Sequence, residues 1–303
     1  MSTVITNLPR DVLRLTLGYL DDYDLAQACM ANRYFSREIC DNSFWINKLV
    51  SQFPELGTGK ELQKYLNGNT YWGYYYFLIT ELKEDRSMDQ LLLDGSKEGR
   101  NDLVLIALNR GADIHAYRDN SLRNASANGH TETVRLLLDE GADIHANGDY
   151  ALINASENGH IEIVRLLLAE GADIHEWDDR ALILASSRGH LDIVRLLLDK
   201  GADIHARDEA ALGLASVGGH IEIVRLLLAE GADIHGDNDA ALINASKYGH
   251  MKIVKLLLDE GANIHASARY GPDDAALGWA SIEGRTETVR LLLDEGADIH
   301  ASE

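Results

Sequence analysis

The sequence predicts an all-α protein built mainly from stacked helical repeats, and three observations lead to this prediction. The string Gly-Ala-Asp-Ile-His begins at six places, of which the first three are Gly111, Gly141 and Gly171. Each period of about 30 residues holds two short segments with helical sequence signals. Because two short helices cannot bury their apolar faces alone, each unit must stack on its neighbours in a one-dimensional solenoid.

Seven units follow from this period. Gly261 starts the variant Gly-Ala-Asn-Ile-His, and Gly296 starts the last motif. The interval between motifs is 30 residues except for the last, which is 35 because of an insertion at about residues 268–272. The predicted units are 88–117, 118–147, 148–177, 178–207, 208–237, 238–267 and 273–302.

One unit illustrates the elements in order. Asp149 is expected to begin the first helix as an N-cap that accepts a backbone N–H, and this acidic cap recurs in every unit. Gly159 breaks the chain, and a second helix follows from Ile161 through Leu168 with apolar residues at i, i+3 and i+4. Gly171 supplies the left-handed position that ends this helix, and the four residues after it form an extended turn.

These motifs resemble a known family. Ala-Leu, Ala-Ser, Gly-His, Ile-Val-Arg-Leu-Leu-Leu and Gly-Ala-Asp-Ile-His occur in the order and spacing of the ankyrin repeat over residues 88–303. The units are shorter than the family's usual length of about 33 residues. The missing residues fall between Gly-Ala-Asp and the first helix, so we expect the turn tips to be short. The resemblance implies a solenoid that binds a protein target with its turn tips and first helices on a concave face.

Positions that differ between units are the candidates for target binding, because stacking already explains what repeats. They fall at the turn tip and at the end of the first helix, where Tyr, Trp and Arg occur, the residue types enriched at binding hot spots. For any single position, the alternative is that a loop residue varies in sequence without a binding role. For Trp279 the alternative is that the side chain packs within the last unit. The predicted target-binding residues are Tyr117, Arg118, Tyr150, Trp177, Arg180, Arg188, Lys247 and Tyr248.

All 12 histidines fall at two repeat positions, after Gly or after Ile. Equivalent atoms of stacked helices should lie about 8 to 10 Å apart, whereas zinc ligands lie about 2.0 to 2.1 Å from the metal. The histidines of one unit also have no carboxylate or Cys at ligand spacing. We therefore expect histidines that bond to the backbone, with a metal or catalytic role as the alternative. Serines recur with the same period and no phosphate-binding glycine loop occurs, so the chain is predicted to be no enzyme and to hold no metal or cofactor.

A second pattern occupies residues 1–50. Pro9 suits the first turn of a helix, apolar residues follow at helical spacing, and Asp24 begins a second helix. These residues resemble an F-box over about residues 5–50, which implies docking onto a Skp-type adaptor of a cullin-RING ubiquitin ligase. A plain helical cap for the first repeat is the alternative. The residues that would dock are Leu8, Pro9, Val12, Leu13, Leu17, Leu20 and Leu25.

Residues 51–87 form an aromatic-rich helical spacer between the F-box-like module at 1–50 and the repeats at 88–303. Aromatic residues crowd between Tyr71 and Phe77, as in a packed joint. A platform for stacking nucleic-acid bases would need a positive groove, and the four basic residues between Lys60 and Arg86 are matched by four acidic ones between Glu61 and Asp85.

Charge and composition limit the partners. Lys plus Arg number 28 and Asp plus Glu number 49, for a net charge of −21 that repels nucleic acid and anionic membranes. The acidity belongs to the repeats and favours a basic partner surface. Cys29 and Cys40 are the only cysteines, which fits a reducing, intracellular compartment, and no segment approaches the roughly 20 apolar residues of a membrane span. We expect a soluble chain that is monomeric alone and lies in the cytoplasm or nucleus.

An F-box followed by ankyrin repeats resembles the F-box/ankyrin proteins of giant DNA viruses of amoebae. The implied function is substrate recruitment, in which the repeats hold a target, the F-box holds the ligase, and other subunits transfer ubiquitin. The alternative is a scaffold that sequesters a host protein without ubiquitin chemistry. An enzyme, the third possibility, has no support in the sequence.

Overall fold

The computed structural model describes residues 42–66, 69–82, 87–267 and 274–300, and the regular elements in these ranges are all helices. The described residues divide into two compact units. The first takes the residues up to Ser96 together with Arg100–Ala116, and the second takes Lys97–Gly99 and the residues from Tyr117 onward. All seven predicted adaptor-binding residues lie outside the described ranges, namely Leu8, Pro9, Val12, Leu13, Leu17, Leu20 and Leu25.

The described helices are numbered here in chain order. A short 3₁₀ helix, Pro54–Leu56, lies between the first two. The α-helices are α1 Asn42–Gln52, α2 Gly59–Leu62, α3 Tyr71–Glu81, α4 Met88–Glu98, α5 Asn101–Asn109, α6 Ala116–Ala127, α7 Thr131–Asp139, α8 Tyr150–Glu157, α9 Ile161–Ala169, α10 Glu176–Arg188, α11 Leu191–Asp199, α12 Ala206–Gly218, α13 Ile221–Ala229, α14 Gly236–Tyr248, α15 Met251–Asp259, α16 Ala275–Ile282 and α17 Thr286–Asp294.

An aromatic core holds the first unit together. Trp45 on α1 and Tyr75 on α3 are buried, with ring centroids 5.2 Å apart, and Phe53 lies edge-on to Tyr75 at 6.4 Å. The Tyr75 hydroxyl donates to Gln52 Oε1 at 3.0 Å, so the ring is packed and its polar end is satisfied. These aromatic residues are core residues rather than a ligand platform.

A buried polar contact joins the aromatic stretch to α5 within the same unit. The hydroxyl of Tyr74 donates to Asp102 Oδ2 at 2.7 Å, and the Arg100 guanidinium pairs with the same carboxylate. Burial, and then the negative charge of Asp102, raise the pKa of Tyr74 far above its ordinary value. The tyrosine therefore stays protonated and acts as a permanent hydrogen-bond donor.

In the second of the two compact units, which begins at Tyr117 apart from Lys97–Gly99, the repeats stack as pairs of short helices. The first helices α8, α10, α12, α14 and α16 pack side by side, and the second helices from α7 to α17 do the same. Val164 and Leu167 of α9 and Ala155 of α8 are fully buried in this arrangement. Gly171 has φ +101° and its Cβ position is open, so the backbone conformation rather than space requires glycine there. The predicted all-α repeat solenoid is confirmed.

The predicted N-cap role of Asp149 is wrong. This residue precedes α8 with φ 51°, in the left-handed region, and its side chain caps nothing in its own helix. In α10 the residues Trp177, Asp178 and Asp179 likewise have φ of 55–57°, and the right-handed helix begins only after them. Left-handed backbone is costly for residues other than glycine, so contacts elsewhere in the repeat must hold the tip in this form.

Candidate interaction surface

Buried carboxylates at the base of the tips join each repeat to the next. Asp179 is buried, its Oδ1 accepts the backbone N–H of Asp203 at 2.8 Å, and His175 Nδ1 lies 3.1 Å from the same oxygen. His175 lies near the end of the preceding unit, whereas Asp179 and Asp203 lie near the two ends of the unit 178–207. The same backbone N–H bond recurs at Asp119, Asp149, Asp239 and Asp274. These acidic residues hold neighbouring tips together. The sequence had instead predicted that they cap helices.

The two sets of histidines have different partners. Those that follow glycine bring Nε2 within 2.9–3.1 Å of a carbonyl oxygen 33 residues earlier, as His160 does with Ala127. The expected backbone bonds are therefore confirmed for this set. They are wrong for the side chains of the second set, which pair with the buried carboxylates. Five of the seven members make such pairs, namely His145, His175, His205, His235 and His265.

The carboxylates that meet the second set of histidines come from the next unit, which the sequence analysis did not consider. The left-handed tip turns the chain so that His175 meets Asp179, four residues on. Within the described ranges, however, no group of three or more His, Cys, Asp or Glu is placed to hold a metal ion. The pairs act as links between repeats.

Trp177 and Tyr150 form the aromatic part of the tip surface, which we define as Tyr117, Arg118, Tyr150, Trp177 and Arg180. The Trp177 and Tyr150 ring centroids lie 6.0 Å apart with planes at 86°, an edge-to-face arrangement. Gly148 makes room for the indole, because a Cβ there would lie 2.5 Å from Trp177 Nε1. Trp177 is nevertheless 49% exposed. The pair is thus supported from below and open to a partner.

Arginines hold the backbone of two tips. Arg207 Nη2 donates to the Trp177 carbonyl at 3.1 Å, and Arg207 Nε lies 3.2 Å from Asp178 Oδ2. Arg123 Nη2 donates in the same way to the carbonyl of Tyr117, at 3.0 Å, and the Tyr117 side chain is 64% exposed. Both exposed aromatic side chains therefore project from tips whose carbonyl groups are fixed.

The remaining predicted target-binding residues lie at the opposite end of the first helices. Arg188 ends α10, and Lys247 and Tyr248 end α14. The right-handed part of α10, from Arg180 to Arg188, rises about 12 Å at about 1.5 Å per residue. The candidates therefore form two groups, the tip surface and a turn surface of Arg188, Lys247 and Tyr248. Arg188 is paired there, with Nη2 2.7 Å from Glu157 Oε1.

Sequence reasoning missed the contribution of Gly148. In the other tips that the structure describes, the residue equivalent to Gly148 has a side chain, as Arg118 and Asp178 show. Only the position of the Trp177 indole explains why glycine stands there. The signal in the sequence was a glycine one unit before the tryptophan, and it has meaning only once the stacking is known.

Comparison with known proteins decides the family. A family model described as ankyrin repeats (3 copies) matches residues 92–178, 122–208, 175–238 and 212–303, which together run from 92 to 303. The chain belongs to the ankyrin-repeat family. No curated protein matches the chain significantly.

Membership of the ankyrin-repeat family indicates a role in protein–protein interaction, because these repeats generally act as binding modules rather than catalysts. The exposed aromatic side chains of the ankyrin tips are suited to such a role. No helix in the described ranges of this ankyrin protein is long and apolar enough to cross a bilayer.

Because histidines pair with carboxylates, we expect the free energy of unfolding of the ankyrin array to fall as the pH rises. Hydrogen bonds to Asp149 and Glu209 raise the pKa of His145 and of His205 above the ordinary value of 6.5. Since the folded-state pKa is raised, the pairs contribute fully below the unfolded value of about 6.5, and the contribution is lost as the pH rises through the folded-state pKa.

We expect the melting temperature of the wild type to fall across this window more steeply than that of a His145→Gln/His205→Gln variant. Thermal denaturation followed by circular dichroism between about pH 5.5 and pH 8.5 measures the difference, because ordinary His titration lies in this range. Parallel pH profiles for the two proteins would contradict the assignment.

Proposed function

We propose that the protein is a substrate-recognition adaptor of a Skp/cullin/F-box-type ubiquitin ligase. In this proposal the ankyrin repeats hold a target protein and the F-box-like module at residues 1–50 holds a Skp-type adaptor. Other subunits would transfer ubiquitin, while this chain raises the effective concentration of the target beside them. The protein would act inside a cell, in the host cytoplasm or nucleus if its source is a virus.

The observation that carries target binding is the supported, half-exposed Trp177. An aromatic side chain that already packs on Tyr150, in the space that Gly148 leaves, loses little conformational freedom on binding. Trp and Tyr are also among the residues that contribute most to binding energy at protein interfaces. With Tyr117 exposed on the same row of tips, this surface suits a protein partner.

The ligase half of the proposal depends on the resemblance of residues 5–50 to an F-box. Leu8, Pro9 and Leu13 fit the opening of that motif, and Leu17, Leu20 and Leu25 continue its apolar pattern. A module of about 45 residues with this much apolar surface is marginal by itself, so an adaptor that covers it would stabilise it.

Substitution of Trp177 by asparagine tests target binding. Asn147 occupies the same tip position with φ 59°, so asparagine suits this left-handed backbone and the variant should fold. Full-length protein would be used to capture partners from an amoebal lysate, with quantitative mass spectrometry. We expect the target to be retained at least about tenfold less by the variant, as for loss of a hot spot. Equal retention of every captured protein would refute binding by the tip surface.

The double substitution Leu13→Asp/Leu17→Asp tests the ligase half in the same capture. We expect the wild type to retain a Skp-type adaptor and a cullin and the double variant to lose both, while both proteins retain the target. If neither retains a ligase subunit but Trp177 still controls target capture, the protein is a sequestering scaffold. The two halves of the proposal therefore fail separately.

A further inference from the structure

The unit at 238–267 departs from the others in charge. Lys252 is the second residue of α15, where a positive charge lies close to the positive end of the helix dipole and is unfavourable by a few tenths of a kcal/mol. Every other second helix has an acidic residue at this position. These residues are Asp102, Glu132, Glu162, Asp192, Glu222 and Glu287. A departure from a pattern that stabilises every other helix suggests a function for the exposed lysine.

A second basic residue replaces a histidine in the next unit. Arg285 stands where the preceding units have histidine, and its Nε donates to the Lys247 carbonyl at 3.1 Å. In the preceding unit His250 makes the corresponding contact with the Val217 carbonyl at 2.9 Å. The arginine thus keeps the bond between repeats and adds a positive charge at an exposed position.

Aromatic rings fix the third basic residue. Lys247 Nζ lies 4.2 Å from the centroid of the Trp279 ring and 5.9 Å from that of Tyr248. The Tyr248 ring is in turn stacked on His250, with centroids 6.5 Å apart and planes at 21°. Cation–π contacts of this kind orient a lysine that would otherwise be free to rotate.

Apolar surface is exposed in the same place. Tyr248 is 43% exposed and Met251 is 46% exposed. The residue equivalent to Tyr248 in the preceding unit is Gly218, which has no side chain to cover the ring.

We propose that Lys247, Tyr248, Met251, Lys252 and Arg285 form a second binding site, for an acidic protein segment that carries a large apolar residue. Aspartate or glutamate side chains would face the three cations, and a leucine or phenylalanine would pack on the exposed tyrosine and methionine. Charge complementarity identifies the partner, because this basic surface lies on an array that is otherwise strongly acidic. The proposal rests on the proposed protein-binding function and adds a site of opposite charge at the far end of the first helices.

Acidic residues of the adjacent units flank this surface. They are Glu222 at the start of α13, Glu283 after α16, and Glu287 at the start of α17, which pairs with Arg290 at 3.0 Å. The four cations Lys247, Lys252, Arg285 and Arg290 outnumber these three carboxylates. A basic surface with aromatic residues also suits single-stranded nucleic acid. The net charge of −21 opposes that ligand at long range, so an acidic protein segment is favoured.

The test is peptide selection on the full-length protein. A phage-displayed library of random peptides would be panned against the wild type, and the affinity of the most enriched peptide measured by fluorescence polarisation. The variant Lys252→Glu/Arg285→His carries the residues that other units have at both positions, so it should fold. We expect enriched peptides rich in Asp and Glu with Leu or Phe, and binding to the variant that is weaker by about tenfold or more.

Controls separate this site from general charge and from the tips. Arg165→Glu/Arg195→Gln changes the net charge by the same amount on exposed positions of other units, and should leave affinity unchanged, as should Trp177→Asn. Enrichment of basic peptides or of none, an unchanged affinity in Lys252→Glu/Arg285→His, or a loss only in Trp177→Asn would overturn the site. So would displacement of the peptide by a single-stranded DNA oligonucleotide. Target capture that depends on Trp177 could still support the proposed function in each of these cases.

Discussion

Gly236→Ala is expected to lower the free energy of unfolding of the repeat array by about 1–3 kcal/mol, the usual cost of overpacking. A Cβ at this position would lie 2.6 Å from Glu209 Cβ and closer still to Glu209 Cγ, in the preceding tip. The backbone of Gly236 does not have positive φ, so alanine is excluded by the glutamate and not by the main chain. Other units hold a larger residue here without difficulty. They are Ala116, Ala146, Glu176, Ala206 and Ala266.

The second substitution Glu209→Asp should reverse the effect. The other tips have aspartate where this unit has the longer Glu209, and Glu209 Oε2 is buried without a hydrogen-bond partner. Aspartate keeps the Cβ and Cγ atoms, so the relief comes from restoring the alanine–aspartate pair that other repeats accommodate, as Ala206 and Asp179 show. Thermal melts of the wild type, both single variants and the double variant give the coupling between the two sites. Additive effects of the two substitutions would show that they do not compensate each other.

The helices were predictable because local signals determine them. The predicted second helix, from Ile161 through Leu168, is observed as Ile161–Ala169. Apolar residues at i, i+3 and i+4 specify its buried face, and glycines on either side specify its ends. Since every unit repeats these signals, the stacking followed as well.

The role of the acidic residue at each tip could not be predicted from local signals. An aspartate just before a helix is typical of an N-cap, yet Asp149 binds the N–H of Asp173, 24 residues later. That contact depends on the left-handed backbone of the tip and on the stacking of neighbouring units. Neither is visible in a window of a few residues.

The candidate surface was predictable in its residues but not in its arrangement. Variation between units pointed to Tyr150, Trp177, Lys247 and Tyr248, because stacking does not require them. Which of these share a surface depends on the end of the helix that each occupies. Lys252 was not singled out from the sequence, since a lone charge change on an exposed helix gains meaning only together with the orientation of Lys247 by Trp279 in the same part of the array.

Asp179→Ala is expected to have the largest effect of the carboxylate substitutions, a loss of about 2–4 kcal/mol in the free energy of unfolding. The substitution removes the acceptor of the Asp203 N–H and the partner of His175 in one step. It also places alanine at φ 55°, where aspartate is tolerated better. Asp178→Ala is the matched control, since Asp178 has the same left-handed backbone but is exposed and only pairs with Arg207 at the surface.

Comparison of Asp179→Ala with Asp179→Asn separates the two contacts. Asparagine suits left-handed backbone and keeps an acceptor for the Asp203 N–H, but it loses the negative charge that faces His175. If the N–H bond matters most, the asparagine variant should melt close to the wild type and the alanine variant far below it, in thermal denaturation followed by circular dichroism. A repeat array is stabilised through its nearest-neighbour interfaces, so breaking this link should also broaden the transition of the alanine variant. If Asp179→Ala melted like Asp178→Ala, the buried carboxylates would not be what joins the repeats, and helix packing alone would hold the array together.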